Sequence, residues 1–213
     1  NLHDVRVVET RGMLSDHYDP RTRTVNLSPD VYRAPSVAAM AIAAHEVGHA
    51  LQHARGYAPL ALRSAAVPIA SLGSWASFII VPIGLWLGML SLVYVGIFLF
   101  AGVVAFQIVT LPVELNASQR ARQLLADSGL VYSNEEKNGV SSVLNAAAFT
   151  YVAGLATAVM QLLYFGSMVA GLGRRRACSR LRRSCAASAW IVLLPRPRNV
   201  SACGWRRGRA WWR

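Results

Sequence analysis

The chain has 213 residues, 54% of them apolar, and 22 basic against 10 acidic residues give a formal net charge of +12. That length supports one domain with a sizeable core. The charge does not point to nucleic acid: residues 1–173 hold ten acidic and ten basic residues, and the whole excess comes from twelve arginines in 174–213.

In chain order, Val5–Glu9 and Thr22–Leu27 alternate apolar and polar residues and predict a short, half-buried strand pair. Asp19-Pro20 between them marks a turn. Such a pair is either a structural hairpin or an edge that holds an extended peptide backbone. Asp16, His17 and Asp19 are read as a solvated turn or as groups that orient a ligand histidine. Asp30–Pro35 leads into a helix over Val37–Leu51, rich in Ala, Met, Ile and Val and free of Pro, with Ser36 as its cap and Gly56 as its stop.

That helix carries His45-Glu46-Val47-Gly48-His49, an HExxH motif. Residues four apart lie on one helix face, so both imidazoles are placed to give one nitrogen each to a single tetrahedral zinc. Glu46 is turned about 100° from His45 and flanks the metal position, where a general base for the attacking water belongs. The competing reading is an alanine-rich helix with two stray histidines, and the fixed spacing of three residues weighs against it. His53 is rejected as third ligand because eight helical residues separate it from His45 by about 12 Å. The long metzincin pattern also fails, since position 55 is Arg.

From Ser64 to Val113 there is no charged residue. This length fits two transmembrane helices, predicted over 68–90 and 93–112 with a turn near Met89–Ser91. Two crossings return the chain to its starting side, where Glu114 follows at once. The acidic residues after the motif are Glu114, Asp127, Glu135 and Glu136. A capping box at Ser133 and Glu136 accounts for part of that set, so Glu114 is the third-ligand candidate. Its alternative role is a carboxylate favoured at a helix N-terminus. An amphipathic helix over 114–127, ended by Gly129, should carry it. A further helix starts at Ser133 and becomes apolar from Asn145 to Gly171, a third span lined in its first half by small residues.

Past Arg174 the composition changes to Arg and Trp with no Lys and no acidic residue. Cys178, Cys185 and Cys203 have no metal-motif spacing. This segment is read as a non-native or disordered tail, with a basic arm on anionic lipid as the other reading.

The blocks HEVGHALQH, LPVELNASQRA and LNAAAFTYVA, with SDHYDPRTRTVNLSPDVY ahead of them, resemble the YugP-type membrane zinc metallopeptidases over residues 1 to about 172. The Glu-x-x-Ala-Ser-x-Arg-Ala block is also similar to the ligand helix of the HtpX-type membrane proteases. The resemblance implies zinc ligands His45, His49 and Glu114, with Glu46 as base. It also implies an N-terminal membrane helix and basic linker ahead of Asn1, which fits a chain that begins without Met.

The expected protein is therefore mostly α and membrane-integral, with a zincin-like HExxH helix, a short N-terminal strand pair and about three transmembrane helices. Its expected segments are the first half of the zinc site (1–66), a membrane hairpin (67–112), a ligand helix and connection (113–137), a third span (138–173) and the basic tail (174–213). The expected activity is Zn2+-dependent hydrolysis of a peptide or membrane-protein substrate at the lipid bilayer, with no nucleic-acid partner. A zinc-stabilised adaptor without activity is the alternative. Basic residues on the catalytic side suggest that it faces the cytoplasm, at a bacterial inner membrane, by the positive-inside rule, whereas the twelve arginines of the tail, if genuine, would contradict this. Tyr18, Tyr57, His17 and His53 are the candidate donors to the developing oxyanion.

Overall fold

A computed structural model describes residues 2–188, with side chains through residue 171. Three short strands come first: β1 (Arg6–Glu9), β2 (His17–Asp19) and β3 (Thr24–Leu27). They are followed by α1 (Pro29–Arg33), α2 (Val37–Ala54), α3 (Ala58–Trp86), α4 (Leu90–Asp127) and α5 (Asn134–Ser188).

β3 is the central strand, with Thr24, Val25 and Leu27 buried. The two strands expected from the sequence do pair, but in parallel, with Val7 opposite Val25. The antiparallel partner of β3 is β2, with Tyr18 opposite Val25. Asp19 holds the intervening turn, accepting from the Arg21 N–H at 2.9 Å and the Thr22 hydroxyl at 2.8 Å. Asp16 orients no histidine: it accepts from the Ser28 N–H at 2.7 Å and from the Ser28 hydroxyl, tying the entry of β2 to the start of α1.

α2 begins as expected, with the Ser36 hydroxyl accepting from the Ala39 N–H at 3.1 Å. It runs to Ala54, and Gly56 turns the chain with a φ of 62°. The helix that holds the first expected span starts at Ala58, ahead of the expected 68, with Pro59 in its first turn, where the missing N–H costs nothing. α4 is one unbroken helix from the hairpin turn to Asp127, where the sequence suggested a span ending at 112 and a separate helix from 114. Pro112 lies inside it, as membrane helices tolerate. The same rod therefore crosses the apolar zone and carries Glu114. The capping box forms, with Ser133 N–H to Glu136 Oε2 at 3.1 Å and Glu136 N–H to Ser133 Oγ at 3.0 Å. α5 continues past the expected end near 173, to Ser188. The rest of the expected tail, 189–213, lies outside the described residues.

α3, α4 and the Asn134–Gly171 part of α5 are long and apolar enough to cross a membrane. Their outward faces carry large apolar side chains, such as Trp86 and Phe98 at 85% and 79% exposure. In water that would be a liability; in lipid it is the expected outer surface. Glycine lets the hairpin close: a Cβ on Gly84 would meet Val93 Cγ2 at 2.9 Å, and one on Gly96 would meet Val81 Cγ2 at 2.5 Å. Two apolar clusters follow. One, on α2, α4 and α5, includes Ala41, Ala44, Ala121, Leu125, Val140 and Leu144. The other, on the membrane helices, includes Val81, Val93, Phe100, Val104 and Phe165.

Candidate metal centre

The site begins where α2 meets α4 in backbone contact. A Cβ on Gly48 would sit 2.6 Å from the Ala117 carbonyl oxygen, closer than any side chain permits. Small buried residues on both helices, Ala44 and Ala121 among them, extend the close approach. This crossing brings the His45–His49 face of α2 against the Glu114–Ser118 face of α4. Gly48→Ala should therefore force the helices apart, at about 1–3 kcal/mol for overpacking, and move Glu114 away from the histidines. A lowered melting temperature together with weakened zinc binding is the expected result, and an unchanged melt would refute the requirement for contact at this position.

His45 Nε2 lies 3.2 Å from Glu114 Oε2, and His49 Nε2 lies 3.5 Å from the same oxygen. One donor atom from each of the three residues falls within 4.8 Å of the others. The two rings stand edge to face with centroids 4.8 Å apart. Two imidazole nitrogens and a carboxylate oxygen are zinc's customary donor chemistry, so the residues fit the metal. Each ring is held from behind: His45 Nδ1 lies 3.1 Å from the Ser118 hydroxyl, and His49 Nδ1 lies 3.0 Å from Gln52 Oε1. Glu114 is held at its other oxygen, since Arg63 Nη2 lies 2.8 Å from Oε1, within ion-pair reach though off the line of a hydrogen bond.

Glu46 is buried beside this group and outside it, at 8% exposure. Burial pushes its carboxyl above the ordinary range, against the pull of His49 and His45. Burial would lower His49, but hydrogen bonding and attraction to Glu114 outweigh it and raise the imidazole. All four groups line a cleft of about 440 Å³, walled by Asp16–Arg21 on one side and by Leu60, Arg63, Ser64, Val67 and Tyr151 on the other.

The structure thus brings together His45, Glu46, His49 and Glu114, which are separated by up to 69 residues in sequence. His53 stays outside the donor group; its Nδ1 pairs with the Tyr18 hydroxyl at 2.8 Å and pins β2 to α2. Of the candidate oxyanion donors, Tyr18 and His17 line the cleft, whereas Tyr57 and His53 do not. Four contributors escaped the sequence reading: Gln52, Arg63, Ser118 and Tyr151. Arg63 left a signal as the last charge before the apolar run, and Gln52, Ser118 and Tyr151 lie inside the blocks HEVGHALQH, LPVELNASQRA and LNAAAFTYVA, which by themselves give them no role. Tyr151 comes from the third span and lines the same cleft as Glu114.

The family described as "Putative neutral zinc metallopeptidase" matches residues 1–170. The chain belongs to this family. Among curated proteins it is similar to "Putative membrane protease YugP" of Bacillus subtilis (strain 168), with 48% identity over 164 residues that cover 77% of this chain and 72% of the relative. No solved structure matches it. Membership accords with the architecture: the family match spans the strands, the histidine helix, the hairpin and nearly all of the third span.

Proposed function

We propose that the chain is a membrane-bound zinc endopeptidase, with the metal held by His45, His49 and Glu114 and with Glu46 as general base. The observation that carries this reading is the convergence of three donor atoms beside a buried carboxylate that is not one of them, in an open cleft. Zinc in such a donor set supplies Lewis acidity, which makes a water nucleophilic near neutral pH and polarises a carbonyl. Glu46 takes the proton of the attacking water on its carboxylate and delivers it to the leaving amine nitrogen. Arg63, paired with Glu114 Oε1, leaves Oε2 turned toward the histidines. The Tyr18 hydroxyl is engaged by His53, so Tyr151 is the cleft hydroxyl best suited to donate to the substrate carbonyl oxygen.

The substrate is a peptide or membrane protein cut beside the bilayer, because the cleft is walled by the first turns of α3, where the charge-free run begins. The membrane hairpin is an insertion between the two halves of the zinc site. The arginines at 6, 11, 21, 23, 33, 55 and 63, with Arg120, Arg122 and Lys137, support a site on the cytoplasmic face of a bacterial inner membrane under the positive-inside rule, and the twelve arginines that follow the third span in sequence argue the other way.

The rival is a zinc-stabilised adaptor. A purely structural site is closed by four protein ligands and has no use for a base; the described residues offer a group of three donors with Glu46 beside it. The test is zinc analysis and peptide cleavage on detergent-purified protein. One zinc per chain is expected, with cleavage lost on chelation and regained on adding zinc. Absence of zinc would sink the proposal, and stoichiometric zinc without any cleavage would hand it to the adaptor.

A further inference from the structure

The orientation of an amide side chain is settled only by partners that cannot exchange roles. Gln52, fully buried at 0% exposure, has such a partner in the Val113 carbonyl, which only accepts and lies 2.8 Å from Gln52 Nε2. Asn116 has another in Arg120, whose Nε only donates and lies 2.7 Å from Asn116 Oδ1. The same Oδ1 takes the second Gln52 Nε2 hydrogen at 3.0 Å. Both amides are thereby fixed, and reversing Gln52 would set two acceptors against each other in a dry interior. Its Oε1 is left facing His49 Nδ1 at 3.0 Å, and a carbonyl oxygen can only accept. His49 must therefore carry a proton on Nδ1, and whenever the ring is neutral its lone pair is on Nε2, the nitrogen that faces the Glu114 side of the site.

We propose that Gln52 is a positioning residue that sets the tautomer of His49, presenting Nε2 as a ready metal donor. The other histidine has no such lock, because the Ser118 hydroxyl beside His45 Nδ1 is able to donate or accept. The inference rests on the reading of His49 as a zinc ligand, and it names the device that prepares that ligand before metal arrives. The chain Arg120–Asn116–Gln52–His49 runs from α4 back to α2, so the ring is also referenced to the helix that carries Glu114.

The test is nitrogen NMR of ¹⁵N-histidine-labelled, zinc-free protein in micelles at about pH 9, above the ordinary imidazole range, together with a zinc titration. Wild type should show His49 as the Nδ1–H tautomer. Gln52→Leu should release it to a mixture or to Nε2–H and weaken zinc binding by roughly 10–100-fold, the usual cost of losing an outer partner. Asn116→Ala removes one strut of Gln52 but keeps its oxygen, and should preserve the tautomer and hold zinc affinity within a few-fold. Finding His49 as Nε2–H in wild type would overturn the proposal, even if Gln52→Leu does not fold. Equal losses in Asn116→Ala and Gln52→Leu would reduce Gln52 to a clip between helices and overturn it too. A wild type with the Nδ1–H tautomer but no zinc binding would uphold the lock and instead remove the zinc reading of the site.

Discussion

Glu46→Gln is expected to keep its zinc and its fold while turnover falls by about 10²–10⁴-fold, the usual worth of a positioned acid–base group. The substitution conserves volume at a buried position. The pairing of the Tyr18 hydroxyl with His53 is untouched, so β2 keeps its hold on α2. Glu46 stands outside the donor group, and the metal should stay. What is lost is the oxygen able to take a proton from water and pass it to the leaving amine. Zinc stoichiometry, melting temperature and kcat on one preparation decide the matter. A variant that holds zinc and cleaves at the wild-type rate would show that Glu46 is not the base.

Glu114→Ala should release most of the zinc, by more than the roughly 10–100-fold that loss of an outer partner costs. Two imidazoles on one face of one helix remain, without the third donor from α4. Alanine also strips Arg63 of its carboxylate partner beside the start of the first span. Stability therefore drops for a second reason, and Glu114→Gln is the needed companion. Glutamine keeps the shape and an oxygen for Arg63 but is a poor zinc donor, so zinc should fall while folding largely survives. Asp127→Ala, at the exposed end of α4, should change neither. Full zinc occupancy in Glu114→Gln and Glu114→Ala alike would remove Glu114 from the donor set.

The sequence made the histidine pair and its flanking glutamate legible because helical spacing alone fixes their geometry, and Glu114 came by elimination among few acids. The apolar spans were legible because lipid demands length and absence of charge. Gln52, Ser118 and Tyr151 were not, since each matters only through contacts made across helices, and a glutamine three residues past His49 carries no spacing rule. Gly48 fell on a position the motif leaves free, although the α2–α4 contact allows no Cβ there. β2 has three residues, too few for an alternation to register. The continuity of α4 was hidden by Pro112, which in water would mark a break.

The placement of Glu114 at the far end of the second membrane crossing has a consequence for how the molecule comes into being. A chain is made N-terminus first, and folds in that order. A nascent chain that has emitted His45, Glu46 and His49 holds a carboxylate and two imidazoles without Glu114, through the whole synthesis of α3 and most of α4. The carboxylate arrives only after both helices of the hairpin are threaded, and it meets the histidines only if that hairpin has returned the chain to its starting side. A molecule stalled or mis-inserted before that moment carries an unassembled site. If the chain is the peptidase proposed above, threading of the hairpin into lipid is thus the step that completes its site, a timing written into chain order.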